Sequence, residues 1–204
     1  DNPIIGLQMT DQYKPGLLAA ICEAQNLPVD SDRYRELTTD VAGVRMRLLS
    51  AFLRLGDILE ESRYRANPKQ ARTLQLDLTS QAHWWRHYYI ANVTLNQTDH
   101  LVTIWFDFPI ERRGEYSKIV PQLQMPWIEN EFNYHAPIFH KYGFGWSVTY
   151  TVQQTPYTDA EIMPDSVLSE MWKEISYQRK KDDEIRKNES LQHFRSSMPS
   201  FDRR

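Results

Sequence analysis

The sequence predicts an α+β fold: a helical lobe, then a small antiparallel β-β-α-β lobe, then a charged C-terminal helix or tail. Three observations carry this reading. Residues 44–65 (VRMRLLSAFLRLGDILEESRYR) repeat apolar side chains at helical spacing. Residues 89–95 and 101–108 alternate with period two and are rich in β-branched and aromatic types. From Gly114 the helical period returns. The expected boundaries are 1–78 for the helical lobe, 79–175 for the α+β lobe and 176–204 for the tail.

Taken in order, residues 1–14 read as irregular. Pro15-Gly16 opens a helix that stops by Pro28. Residues 28–42 are polar and rich in turn-formers, so they are expected to form a loop that could cover a site. The long helix follows and ends before Asn67-Pro68. On it Leu48, Phe52, Leu55 and Leu59 form one line, with Leu49 and Leu53 beside it. Arg47, Ser50, Arg54, Asp57 and Glu61 form a narrower polar stripe opposite. Leu74, Leu76 and Leu78 alternate and suggest a short extended segment. Thr79 or Ser80 would cap a short helix over 82–88.

The two alternating runs are joined by Asn96-Gln97-Thr98-Asp99-His100, a loop of hairpin length. Pro121, Pro126 and Pro137 are expected to kink or split the helix that follows. Residues 144–153 read as a third strand. Met163-Pro164-Asp165 marks a helix start, and the sequence beyond Tyr177 is charged and nearly free of core residues.

Composition narrows the function. A net charge of −3 gives no global case for nucleic acid or an anionic membrane surface. The chain shows no apolar run long enough to span a bilayer and no export signal, so a cytoplasmic place without a membrane partner is expected. One cysteine, Cys22, excludes an internal disulfide, and it reads as a buried structural thiol. Trp84, Trp85, Trp105, Trp127, Trp146 and Trp172 read as core. The basic residues Arg63, Arg65, Lys69 and Arg72 make a mild positive patch in mixed surroundings. There is no phosphate-cradling GxxxxGK[ST], no GxSxG elbow, no CxxC and no GxGxxG.

Two places carry candidate chemistry. Asp57 sits at the edge of the polar stripe, where it is either a solvated carboxylate paired with Arg54 or a carboxylate at a metal site. In His83-Trp84-Trp85-Arg86-His87 the histidines stand at i,i+4 and can project from one helical face. That spacing occurs in zinc helices, which add a Glu and a third ligand. Arg86 with His83 and His87 would also suit an anionic phosphate, because Arg offers a planar fork of donors. The alternative is a pair of structural histidines.

The wording LLSAFLRLGDILEESRYR, with the HWWRH segment downstream, resembles the last motif helix of HD-superfamily metal-dependent phosphohydrolases. In that helix an LLRLAD-type segment supplies the final Asp ligand. The resemblance is strongest to the bacterial type found with Hsp90-like ATPases and conflict systems. Residues 21–28 (ICEAQNLP) look like that group's ICEAH-type helix, with Gln25 where the pattern has His. No His-Asp doublet occurs anywhere.

The resemblance implies Asp57 as a metal ligand, with Arg54, His83, Arg86 and His87 as phosphate or interlobe contacts. It implies a divalent metal ion if further ligands lie upstream, and none otherwise. The chain opens on Asp1-Asn2-Pro3, so it is expected to be a piece of something longer. The partner would be the remainder of a longer chain or another subunit, with a nucleotide or nucleic-acid phosphate as substrate. The alternative is an inactive HD-like scaffold that serves as a protein-interaction module.

Overall fold

The change of hydrophobic period along the chain marks where helices give way to strands. The computed structural model describes residues 14–41, 43–60 and 63–197. Residues 1–13, expected from sequence to be irregular, Glu61 of the polar stripe and the last seven residues lie outside these ranges. The helices are α1 (Lys14–Gln25), α2 (Asp32–Leu37), α3 (Met46–Leu59), α4 (Pro68–Thr73), α5 (Leu78–Tyr88), α6 (Arg113–Lys141) and α7 (Asp165–Ser197). The strands are β1 (Ile90–Asn96), β2 (Leu101–Pro109) and β3 (Ser147–Thr155), in the spatial order β1-β2-β3. The α+β class and the C-terminal helix are as expected.

Several local expectations are corrected. The polar stretch after Pro28 is not all loop. Ser31 caps α2 by accepting from the Tyr34 N–H at 3.1 Å, and Tyr34 is fully buried. The leucines at 74, 76 and 78 do not make a strand: α4 begins on Pro68, which suits a first helical turn, and Leu74 and Leu78 are exposed. The cap of α5 is Asp77, whose carboxylate accepts from Ser80 N–H at 2.8 Å. Helix α6 runs unbroken through Pro121, Pro126 and Pro137. The carbonyls four residues before Pro126 and Pro137 belong to the exposed residues Gln122 and Asn133, where water can take the place of the lost N–H. Of the tryptophans, Trp85 is buried, whereas Trp127 and Trp172 are exposed. Cys22 is exposed, not buried.

The sheet is mixed rather than antiparallel. β1 and β2 form the expected antiparallel hairpin, with Asn96 opposite Leu101 and a bulge between Ile90 and Asn92. The Asn96 side-chain oxygen accepts from Thr98 and Asp99 N–H, and His100 takes a left-handed φ of 50° to close the turn. β3 runs beside β2 in the same direction. Ser147 at its start donates to the His100 carbonyl at 2.9 Å, and Thr155 at its end donates to Asp107 at 2.8 Å. The physical reason is α6, a crossover helix that returns the chain to the end where β2 began.

The chain forms two compact units that interleave along the sequence. One comprises Asp1–Arg63, Ile90–Phe106 and Trp127–Thr151; the other comprises Tyr64–Tyr89, Asp107–Pro126 and Val152–Arg204. In the first, α1 packs on α2 and α3, and Phe52 meets Phe139 at 5.2 Å. In the second, α5 packs on α4 and α7 around Tyr89, whose ring lies 5.3 Å from Tyr116 and 5.4 Å from Phe108. The Tyr89 hydroxyl donates to the Glu161 carbonyl and accepts from Met163 N–H, so the buried phenol is satisfied. Among the described residues, no helix is long and apolar enough to cross a membrane.

Candidate functional site

Helix α3 buries Met46, Leu48, Ala51, Leu55 and Ile58, a stripe at helical spacing. The division of its faces departs from the expected one. Leu49, Phe52 and Leu53 are exposed, while Ser50 from the polar stripe is buried. Arg54 turns inward from the stripe because it has partners inside the unit. Its guanidinium faces Glu131 of α6 in a two-pronged pair, Nε to Oε2 at 3.0 Å and Nη2 to Oε1 at 2.5 Å. The remaining nitrogen, Nη1, donates to the carbonyls of Ala24, Gln25 and Leu27 at 3.2, 2.8 and 2.7 Å. Those carbonyls belong to the C-terminal turn of α1 and the residues after it, where a helix leaves acceptors unpaired and its dipole favours a cation.

Around this pair lie Tyr34 and His135, both fully buried. Arg54 sits over the Tyr34 ring at 5.6 Å, and His135 Nε2 stands 3.5 Å from Glu131 Oε2. Burial raises the Glu131 carboxyl's pKa, but His135 and Arg54 together outweigh it and hold the group at about 2. Burial pushes the Tyr34 phenol up to about 12. The Tyr34 hydroxyl, Ser50 Oγ and His135 Nδ1 have no hydrogen-bond partner. The sequence reading missed Tyr34, Glu131 and His135. The available signal was Glu131 and His135 at i,i+4 among the apolar positions of α6.

Asp57 lies one turn beyond Arg54 on α3 and is exposed. It is thus presented outward by a helix whose opposite stripe is buried. A lone carboxylate does not hold a divalent ion, which needs several ligands. Among the described residues, no group of three or more His, Cys, Asp or Glu is placed to hold a metal. These residues therefore do not fit a metal centre by themselves.

His83, Arg86 and His87 belong to the other unit, on α5, and the structure brings these three together. The His83 and His87 rings meet edge to face with centroids 4.2 Å apart, their Nε2 atoms separated by 3.1 Å. Arg86 Nη2 donates to His83 Nδ1 at 3.0 Å, and Nη1 reaches Glu174 of α7 at 3.4 Å. The Arg86 bond places the His83 proton on Nε2, so His83 donates to His87 Nε2. His87 is buried and His83 is exposed along one edge. Partial burial of the ring, then the charges of His87 and Arg86, pushes His83 down to about 4, so it is neutral at pH 7.

Arg54 and Asp57 thus fall in one unit and the His-Arg-His trio in the other. The HD-CE family model matches residues 8–134, well over half of the chain. The matched stretch encloses every one of these candidates, from Gln25 to Glu131, and ends just before His135. No curated protein and no solved structure gives a match. The helix bearing Asp57, anchored through Arg54, lies inside that matched stretch, and the chain belongs to the HD-CE family.

Proposed function

We propose that this chain is the C-terminal part of an HD-type metal-dependent phosphohydrolase that acts on a nucleotide or nucleic-acid phosphoester in the cytoplasm, in a bacterial defence or signalling system. The observation that carries the reading is the exposed Asp57 on a helix locked to α1 by Arg54. Rigid placement is what a metal ligand needs, because misplaced first ligands forfeit affinity. In this reading Asp57 is one ligand of a divalent ion, and the others come from beyond the described residues or from a partner subunit. Such an ion would lower the pKa of a bound water. Arg54 acts as a positioning residue for α3, and His83, Arg86 and His87 contact phosphate.

The test is a Mn2+ titration of the full-length protein, with hydrolysis of a phosphodiester as readout. Asp57→Ala is expected to lower the metal-dependent rate by about a hundredfold or more, in line with loss of a ligand group. Unchanged hydrolysis in that variant would overturn the reading.

A specific observation favours a second reading, an HD-type scaffold that binds a protein partner without chemistry. Gln25 stands where the resembled pattern has His, and residues 176–190 of α7 are exposed throughout. Removing residues 177–204 should then abolish partner binding while leaving the fold intact. Full retention of affinity would exclude α7 as the docking element.

A further inference from the structure

We propose that the exposed face of α3 is a dimer interface, on which a second copy of this chain lays its own α3 antiparallel about a two-fold axis. The proposal goes beyond the hydrolase reading and stands whether or not Asp57 binds a metal. Three features of α3 carry it.

The first is an uncovered apolar strip. Leu49, Phe52 and Leu53 are 44%, 43% and 37% exposed, although the opposite stripe of the same helix is core. Phe144 extends the strip. Its ring stands edge to face with that of Phe52 at 5.4 Å, and it too is exposed. A patch of large apolar side chains on one helix face is the kind of surface that contact between chains covers.

The second is symmetry. Along α3 the exposed residues Arg45, Leu49, Phe52, Leu53, Gly56 and Glu60 follow one another at intervals of four, three, one, three and four. The series reads the same from either end. Two copies related by a two-fold axis midway between Phe52 and Leu53 therefore match residue for residue, as an isologous contact requires. Phe52 meets the partner's Leu53, Leu49 meets the partner's Gly56, and Arg45 meets the partner's Glu60. A Cβ built on Gly56 touches nothing within 4 Å, so this position is an open notch in the helix surface. A leucine facing a notch is the complementarity that lets two helices approach to about 8–10 Å.

The third is charge. Arg45 and Arg47 stand at the start of α3, and Asp57 and Glu60 at its end. A helix's own dipole favours the reverse order, acids first and bases last. The arrangement therefore works against α3 as a single helix. Laid antiparallel on a copy of itself, α3 brings its basic start to the partner's acidic end, twice over, and the two dipoles oppose. A parallel pairing would set like charges together and is rejected.

The test is analytical ultracentrifugation of the 204-residue chain across micromolar concentrations, with circular dichroism as a check of folding. A reversible monomer–dimer equilibrium is expected. Leu53→Glu, at an exposed position, should leave a folded monomer. Gly56→Gln puts a better helix former where the single chain has open space, so its thermal stability should hold or rise. The filled notch should nevertheless weaken dimerisation by about tenfold or more. Arg45→Glu should weaken it by about tenfold, by setting acid against acid, and adding Glu60→Arg should restore it. The proposal is overturned if the wild-type chain stays monomeric, if Leu53→Glu dimerises as wild type does, or if the double reversal dimerises no better than Arg45→Glu alone. A monomeric wild-type chain would leave the hydrolysis test of Asp57→Ala untouched, so the two readings fail separately.

Discussion

Arg54 and Glu131 are 77 positions apart in sequence and meet with two nitrogens facing two oxygens, both side chains nearly sealed from solvent. The pair ties α3 to α6 and, through three carbonyls, to the end of α1. Breaking one side of a buried pair leaves the other charge uncompensated. Arg54→Ala is expected to destabilise the chain by about 3–5 kcal/mol in urea unfolding. The double variant Arg54→Met/Glu131→Leu should recover much of that loss. A cost below about 1 kcal/mol for Arg54→Ala would show that the pair is solvated.

The same pair makes stability depend on pH. Glu131 is held at about 2, below its ordinary 4.5. A carboxyl depressed on folding contributes stability that is present above the unfolded value and lost as pH falls toward the folded one. The window is therefore pH 4.5 down to 2, and the contribution is on the order of 3 kcal/mol at full extent. Unfolding free energy measured across that range should fall more steeply for wild type than for Glu131→Gln. Equal slopes would contradict the assignment.

The Tyr34 hydroxyl and Ser50 Oγ are buried without partners. Removing an unsatisfied polar atom relieves its desolvation. Tyr34→Phe and Ser50→Ala are each expected to be neutral or stabilising, by up to about 1 kcal/mol. A loss of more than about 1 kcal/mol in thermal unfolding of Tyr34→Phe would reveal a partner for the phenol.

Cys22 is exposed on α1. One equivalent of thiol should react with Ellman's reagent in the native chain, at a rate near that of an unfolded control. Reaction only after denaturant is added would place the sulfur in the core.

Much of the architecture was legible from period alone. The two alternating runs became β1 and β2 almost to the residue, and of the apolar line Leu48, Phe52, Leu55 and Leu59 the first and third face inward while Phe52 is exposed. What failed was what period cannot encode. Alternation at Leu74, Leu76 and Leu78 looked extended, but Pro68 starts a helical turn just before it. The direction of β3 depends on where α6 delivers the chain, a length rather than a pattern. Three prolines sit in an unbroken helix, with two of the affected carbonyls on exposed residues. At the site, Arg54 and Asp57 share a polar stripe in sequence but face different surroundings. Only the remote Glu131 reveals that Arg54 turns inward.

The parallel placement of β3 bears on the order in which the chain folds. The β1–β2 hairpin closes across four residues, and hairpins of that kind form in about 1–10 μs. β3 cannot join until a crossover containing the 29 residues of α6 has been laid down. Contacts so distant along the chain incur loop-closure entropy before any pairing rewards it, so they set the slow step. During synthesis the edge of β2 that β3 will cover therefore stays open while α6 emerges. In refolding experiments the hairpin should gain protection from amide exchange well before β3 does.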